Sequence, residues 1–312
     1  MAKIKSMRKA LIIIVLVVVG VIHELPLRAA PLSPPLARGG EGGVVVRDDA
    51  GRRVTVPLPV RRVVTLAPSN TAIVAALGMT ASIVGASTTD DNPLPGRVKR
   101  VGAVNPSIEE IVALSPGLVL GIYGEDALCD RLRRLGVPCV IMSDHSIDDV
   151  MRDIMLAGRL LSADTRASAV VDGMKQKLDR ARAVLERCRT TPLVYIEIDA
   201  SDPSRPFSAG RGSFMDSLIT MAHAHNIAHD TRTPWPRLSQ EYIIAENPDV
   251  IVVTDGLTID GLKKRPGWSG IKAVETGRVY GMSADLVSRP GPGIVDAFVA
   301  LAKDVHPEAF GK

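Results

Sequence analysis

The sequence has few aromatic side chains, since phenylalanine, tryptophan and tyrosine together make up 3% of its 312 residues. It contains neither the phosphate-binding pattern G-x-x-x-x-G-K-[ST] nor the nucleophile pattern G-x-S-x-G, so phosphate-loop and hydrolase chemistry lack support. The formal net charge is only +4, and Lys3, Lys5, Arg8 and Lys9 lie together at the N-terminus without an acid. The rest of the chain is nearly neutral, which provides no basic surface for nucleic acid.

The N-terminal segment has the composition of a secretory signal peptide. A basic stretch that ends at Lys9 precedes an apolar run over 11–22, which is shorter than the roughly 20 residues that a spanning helix needs. The small residues Ala29 and Ala30 follow. We therefore predict a signal peptide at 1–30 and export to the periplasm, with an uncleaved membrane anchor as the alternative. No cysteine lies near this segment, so lipid attachment to a cysteine there is excluded.

Cysteine is scarce, with only Cys129, Cys139 and Cys188 in the chain. Export permits a disulfide. Cys129 and Cys139 flank a predicted helix end and the next strand, so these two could pair. The odd count leaves at least one thiol single, and two buried free thiols at Cys129 and Cys139 are the alternative.

Strand and helix patterns divide the chain into two α/β regions. Residues 31–43 are rich in proline and glycine and are predicted to be a linker. Over 44–146, a hairpin is followed by short strands that alternate with helices, a pattern typical of a parallel sheet with helices on both faces. Residues 147–190 show helical spacing and no strand candidate, which predicts a connecting helix. The alternation resumes over 191–312. The fold class is therefore α/β, with two Rossmann-like lobes and a long helical connector.

Residues 68–71 and 90–91 give two local expectations. Pro68 to Thr71 offer caps for a helix that starts with Ile73. Asp90 and Asp91 sit together in a predicted loop. An acid–base pair is conceivable there, but a solvated turn is the expectation.

An internal repeat links the two regions. The segment SIEEIVALSPGLVL, which starts at Ser107, aligns without a gap on SQEYIIAENPDVIV, which starts at Ser239, at an offset of 132 residues. Ser, Glu, Ile, Ala and Pro recur at the same positions, and the strand positions stay aliphatic. Self-similarity of this kind indicates two lobes of like design. A common helix-then-strand pattern that matches by chance is the alternative.

Each copy of the repeat places a serine before a helix, where its hydroxyl can accept from backbone N–H groups. Glu109 and Glu241 occupy matching positions in the first helical turn, where the macrodipole favours a negative charge. That effect alone would explain both residues. The functional alternative is a pair of exposed acids, one in each lobe, that meet basic partners.

These segments resemble the periplasmic binding proteins for vitamin B12, haem and iron siderophores that serve ABC importers. Residues 62–71 are similar to the family's first strand and loop, and residues 105–120 to its glutamate-bearing helix and following strand. The stretch PWPRLSQE at 234–241 resembles the B12-binding branch in particular. Residues 206–210 and the pair Asp285 and Arg289 also match that branch.

The resemblance implies two α/β lobes with the ligand in a cleft between them. It implies a binding protein rather than an enzyme, without a catalytic cofactor. A corrinoid is the expected ligand, and the expected partner is a permease dimer with its ATPase, which a monomer would serve. Glu109 and Glu241 would dock onto permease arginines. The expected ligand-binding residues are Ser69, Asn70, Thr89, Tyr123, Phe207, Trp235, Asp285 and Arg289.

The match to the B12 branch is incomplete in the first lobe. That branch has aromatic residues on both lobes, whereas the matching positions here are Thr88 or Thr89, Ala103 and Ile122, and only Tyr123 could substitute. Haem or a ferric siderophore is therefore the alternative ligand. An α/β enzyme and an anchored sensor are alternatives from other classes. An enzyme would need a nucleophile or an acid–base pair in the cleft, and none stands out.

Three histidines, His223, His225 and His229, form an H-x-H-x3-H cluster. Imidazole is a common metal ligand, and two of the three would share a face if the segment were helical. Solvated histidines are nevertheless the expectation, and no metal site is predicted.

Overall fold

A computed structural model of the chain describes residues 42–103, 105–142, 146–254, 256–282 and 290–311. The chain forms two compact units, divided between Gly173 and Met174. Each contains a parallel sheet with helices, so the predicted α/β class is confirmed. The predicted signal peptide lies outside the described residues. Within them, no helix combines the length and the apolar character that crossing a membrane requires.

The first unit contains an antiparallel hairpin and a five-stranded parallel sheet. The hairpin strands are β1 (Gly43–Arg47) and β2 (Arg53–Pro57), whose alternate valines are buried, as expected for a hairpin with one covered face. The sheet has the order β5-β4-β3-β6-β7. Its strands are β3 (Val63–Thr65), β4 (Ile83–Ser87), β5 (Lys99–Val101), β6 (Leu118–Ile122) and β7 (Cys139–Met142).

Four helices belong entirely to the first unit: α1 (Pro68–Ala76), α2 (Ile108–Ala113), α3 (Asp126–Arg134) and α4 (Ile147–Leu160). The expectation that Pro68 to Thr71 cap a helix starting with Ile73 is wrong, because α1 already begins at Pro68. Proline suits a first helical position, since its φ is preset and its missing N–H would have no partner there. Ala67 precedes it and provides no side-chain cap.

The segment predicted as a connecting helix contains two helices, α4 and α5 (Asp164–Leu185). Between them Ser162 has a φ of 55°, in the left-handed region. A right-handed helix cannot continue through that conformation, so the helical run is interrupted there. The division between the two compact units falls inside α5.

The second unit contains a four-stranded parallel sheet of order β11-β10-β8-β9. Its strands are β8 (Leu193–Glu197), β9 (His225–Asn226), β10 (Val250–Val253) and β11 (Val279–Gly281). Its further helices are α6 (Phe214–Met221), α7 (Gln240–Glu246), α8 (Ile259–Lys263), α9 (Lys272–Glu275) and α10 (Ile294–Val305). Aliphatic side chains of this sheet and its helices pack around Trp268, which is fully buried.

Candidate functional site

The two repeats adopt the same local structure. Ser107 caps α2 and Ser239 caps α7, and each hydroxyl accepts from the backbone N–H three residues later at 3.2 Å. At matching positions after the two helices, Ser115 and Asn247 take left-handed φ values of 44° and 48°. A proline and then a strand of the parallel sheet follow each of them. The sequence repeat is therefore also a structural repeat.

Glu109 and Glu241 are both exposed in the first turn of these helices. The pKa of Glu109 lies below its usual value, because the carboxylate accepts from its own backbone N–H and from the hydroxyl of Ser107. The hydroxyl donates to Glu109 Oε2 at 2.9 Å. Each unit thus presents an acid at the start of an equivalent short helix.

The four predicted ligand residues of the first unit lie near the carboxyl edge of its sheet, where open α/β sheets bind ligands. Ser69 and Asn70 are buried in the first turn of α1, and Asn70 Nδ2 donates to the carbonyl of Gly121 at 3.1 Å. Asn70 therefore ties α1 to the end of β6. Thr89 is half-buried and Tyr123 is 37% exposed. Of the four, Thr89 and Tyr123 have the surface that a ligand could reach.

Asp90 is buried, so the expectation of a solvated turn is wrong for this residue. Its carboxylate accepts from the hydroxyl of Thr71 and from Asn92 Nδ2, the latter at 2.7 Å. These bonds replace water around the carboxylate, as buried polar groups require. They also tie the loop after β4 to α1.

Glu125 is a second acid at this edge, and the sequence analysis missed it. Its Oε2 accepts from the backbone N–H of Ile122 at 2.9 Å. Burial of the carboxyl group raises the pKa of Glu125 to about 7. The side chain packs so closely over Gly121 that a Cβ there would lie 2.9 Å from the oxygen. In the sequence Glu125 is an ordinary acid before a helix, and no pattern marks it.

In the second unit, Phe207 and Trp235 stack with nearly parallel rings. Their centroids are 6.5 Å apart and their planes differ by 7°. The guanidinium of Arg237 lies 5.6 Å from the Phe207 centroid. Phe207 is consequently only 7% exposed, whereas Trp235 is half-buried. Trp235 therefore has the ring surface that a ligand could contact, and Phe207 supports it.

The segment that follows Trp235 leads directly into α7. Backbone hydrogen bonds of 2.9, 3.1 and 3.3 Å join residues 236–240 to residues 204–208, which carry Phe207. The stacked pair lies at one end of this ladder, and Glu241 follows its other end. One hydrogen-bonded segment of the second unit thus connects the ring pair to the exposed acid.

The three histidines do not share a helical face, because His225 lies in β9 and His229 in the turn that follows. His229 Nδ1 lies 3.0 Å from both carboxylate oxygens of Asp216, and its Nε2 lies 3.0 Å from Arg211 Nη2. The expectation of a solvated histidine is therefore wrong for His229. Across the described parts of the chain, no three His, Cys, Asp or Glu side chains are grouped so that they could hold a metal ion.

The structure describes the predicted cysteine pair but not the last two predicted ligand residues. Cys129 in α3 and Cys139 at the start of β7 form a disulfide, and Cys188 is a free thiol. The predicted ligand residues Asp285 and Arg289 lie outside the described residues.

A family model described as periplasmic binding protein matches residues 63–286, more than half of the chain. The chain belongs to the periplasmic binding protein family. The resemblance inferred from the sequence is thereby confirmed. Members of the family are substrate-binding proteins of transport systems and not enzymes.

Several proteins are similar to this periplasmic binding protein over most of its length. An uncharacterized ABC transporter substrate-binding lipoprotein of Bacillus subtilis, YvrC, is 33% identical over 278 residues, which cover 86% of this chain and 87% of the relative. A cobalamin-binding protein of Halobacterium salinarum is 28% identical over 316 residues, which cover 94% and 84%. The solved structure of the haem-binding protein RhuT from Roseiflexus sp. RS-1 has a TM-score of 0.69 and 28% identity, covering 80% of this chain and 100% of RhuT.

Proposed function

We propose that this solute-binding protein is exported through the signal peptide at 1–30 and acts in the periplasm as a monomer. It binds a corrinoid such as cobalamin and delivers it to the permease dimer of an ABC importer, which works with its ATPase. The observation that carries the proposal is the stacked Phe207–Trp235 pair, at the start of the segment that leads to Glu241. The similarity to a cobalamin-binding protein over 94% of this chain supports the choice of ligand.

A corrin ring has a broad apolar face and amide groups along its edge, so its site needs a flat wall and polar groups at the rim. Trp235 suits the wall, because Pro234 and Pro236 restrict the backbone on both sides and the Phe207 ring lies parallel to the indole, 6.5 Å away between centroids. Asp285 and Arg289 would meet the polar edge groups. In the first unit, Tyr123 and Thr89 would contact the ligand. This unit would then offer the ligand fewer aromatic side chains than the matching lobe of the B12 branch.

Haem is the second candidate, because the haem-binding RhuT is 28% identical over 80% of this chain. Haem is also a flat macrocycle, so the Trp235 ring would suit it for the same reason. A ferric siderophore is the third candidate and rests on the family resemblance. The candidates differ in absorption spectrum, which makes them simple to distinguish in solution.

The ligand is tested by titrating the purified protein with cyanocobalamin, haemin and a ferric hydroxamate, by calorimetry and absorption. We expect one-to-one binding of cobalamin. Trp235→Leu should weaken binding by about tenfold, equivalent to about 1.4 kcal/mol, because it removes the stacking ring. Trp235→Phe should retain most of the affinity.

Two results would contradict the ligand assignment. Haemin binding with a shifted absorption band, together with no cobalamin binding, would establish the second candidate instead. Equal cobalamin affinity of Trp235→Leu and the wild type would remove the ring pair from the site.

Docking by Glu109 and Glu241 belongs to the same proposal. A permease dimer offers two equivalent surfaces, and the repeat supplies one exposed acid in each unit to meet them. Arginine is the expected partner, because its guanidinium fork matches a carboxylate. Charges at the rim of an interface act mainly on the association rate and its salt dependence, so these acids should affect transport without affecting the ligand.

A further inference from the structure

Four side chains of the second unit form a continuous chain from the carboxyl end of β8 to the first turn of α7. Glu197, the last residue of β8, accepts two hydrogen bonds from Arg265, at 2.6 and 2.8 Å. The Arg265 guanidinium carbon lies 4.5 Å from the ring centroid of Trp268. Trp268 Nε1 then donates to Gln240 Oε1 at 3.1 Å. Gln240 is the first residue of α7 and precedes Glu241.

These four linked side chains are largely inaccessible to solvent. The Glu197 side chain is fully buried, the Arg265 side chain is 10% exposed, and Trp268 is fully buried. Tyr195 Oη adds a third hydrogen bond to Glu197, at 3.1 Å. Paired, hydrogen-bonded charges in such surroundings have few alternative arrangements, because each displacement would leave a buried charge without its partner. The position of the Trp268 N–H is therefore well defined.

The repeat shows that Gln240 departs from the pattern of its own fold. The matching residue of the first unit is Ile108, which is 6% exposed and packs into the hydrophobic core. An aliphatic residue would satisfy the helix equally well at that position. Instead the second unit has a half-buried glutamine whose side chain meets an indole N–H. Packing alone does not explain this exchange of an apolar residue for a polar one.

The helix that carries Glu241 needs such a contact, because α7 has only seven residues. A helix of that length has no stability of its own and takes its direction from tertiary contacts. Other contacts also hold this helix. Ser239 caps it, Gln240 N donates to the Ser204 carbonyl at 3.3 Å, and Ile243 is fully buried in the core. Tyr242 Oη donates to the carbonyl of Ile227 at 2.6 Å. Gln240 and Tyr242 supply the side-chain contacts on the two sides of Glu241 in sequence.

We propose that Gln240 is a positioning residue for permease docking. Trp268 and the Glu197–Arg265 pair hold Gln240 in place, so that Glu241 meets the permease in a fixed orientation. The inference rests on the proposed docking role of Glu241. It extends that role to the buried network that begins at Glu197. Glu197 lies two residues before Asp199, which pairs with Phe207.

The test measures the affinity of the ligand-loaded protein for its permease in proteoliposomes, with Gln240→Leu, Trp268→Phe and the double variant. Each single variant removes the same hydrogen bond, so each should weaken permease binding by about threefold to tenfold. The double variant should be no weaker than the single ones, because the bond can be lost only once. The maximal uptake rate at saturating protein and the ligand affinity should not change.

The same measurement in a Glu241→Ala background separates the two proposals. Gln240→Leu should have no further effect there, because the acid that it positions is absent. If Glu241→Ala alone leaves permease affinity unchanged, the docking assignment itself fails. If Glu241→Ala weakens binding but Gln240→Leu does not, only the positioning role is wrong. Additive effects in the double variant, or a lower thermal midpoint with unchanged permease affinity, would also overturn it in favour of plain packing.

Discussion

Replacing Glu125 by glutamine should stabilise the protein at pH 8 and do so much less at pH 5. The folded protein holds the proton of Glu125 with a pKa of about 7, against 4.5 for the unperturbed group, because the carboxyl group is buried. Between these values the folded state binds more protons than the unfolded state, so stability falls as the pH rises. The glutamine side chain does not ionise, and its amide oxygen can still accept from the N–H of Ile122.

The size of the effect follows from the two pKa values. A shift of this size corresponds to about 3 kcal/mol at pH 8, where both states would be ionised, and to about 1 kcal/mol at pH 5. The assay is scanning calorimetry of both proteins at the two pH values, in which the two units can melt separately. Glu110→Gln is the matched control, since Glu110 is an exposed acid of the same unit. It should show no such difference.

Equal effects of Glu125→Gln at pH 5 and pH 8 would refute a raised pKa of this carboxyl group in the folded protein. A variant less stable than the wild type at pH 8 would refute it as well, because the carboxylate would then be making a favourable contact in its ionised form.

Two further substitutions test other parts of the structure. Replacing Cys129 and Cys139 together by serine should lower the free energy of unfolding by about 2–3 kcal/mol, since the disulfide closes a short loop, and reduction of the wild type should lower the melting temperature similarly. Cys188→Ser serves as the control and should change neither. Arg265→Met should cost about 3–5 kcal/mol in urea unfolding, because it leaves Glu197 buried and unpaired, and adding Glu197→Leu should recover most of the loss.

The repeat is the part of the fold that the sequence predicted best. Both copies have a capping serine, a short helix and a strand, and these features follow from local preferences that a sequence displays directly. The start of α1 was missed because Pro68 can either precede a helix or occupy its first turn. Local preference alone does not distinguish these positions.

The side-chain networks were not predictable, because their partners are distant in sequence. Glu197 and Arg265 are 68 residues apart, and Gln240 and Trp268 are 28 apart. His229 depends on Asp216 in another element, and Glu125 owes its raised pKa to burial. Burial and long-range contacts arise only when the whole unit has folded, so no spacing along the chain reveals them.

The central claim is that this protein delivers its ligand to an importer through one acid on each unit. The most direct test is uptake of radiolabelled cobalamin into proteoliposomes that contain the cognate permease and ATPase. The wild type is compared with Glu109→Arg combined with Glu241→Arg. Glu110→Arg combined with Glu246→Arg is the control, because it makes the same change in net charge on the same two helices.

The account predicts uptake with the wild type and the control, and none with the variant that reverses Glu109 and Glu241, although that variant binds cobalamin with unchanged affinity. Normal uptake by that variant would contradict the account, and Glu109 and Glu241 would then be only favourable first-turn helix residues.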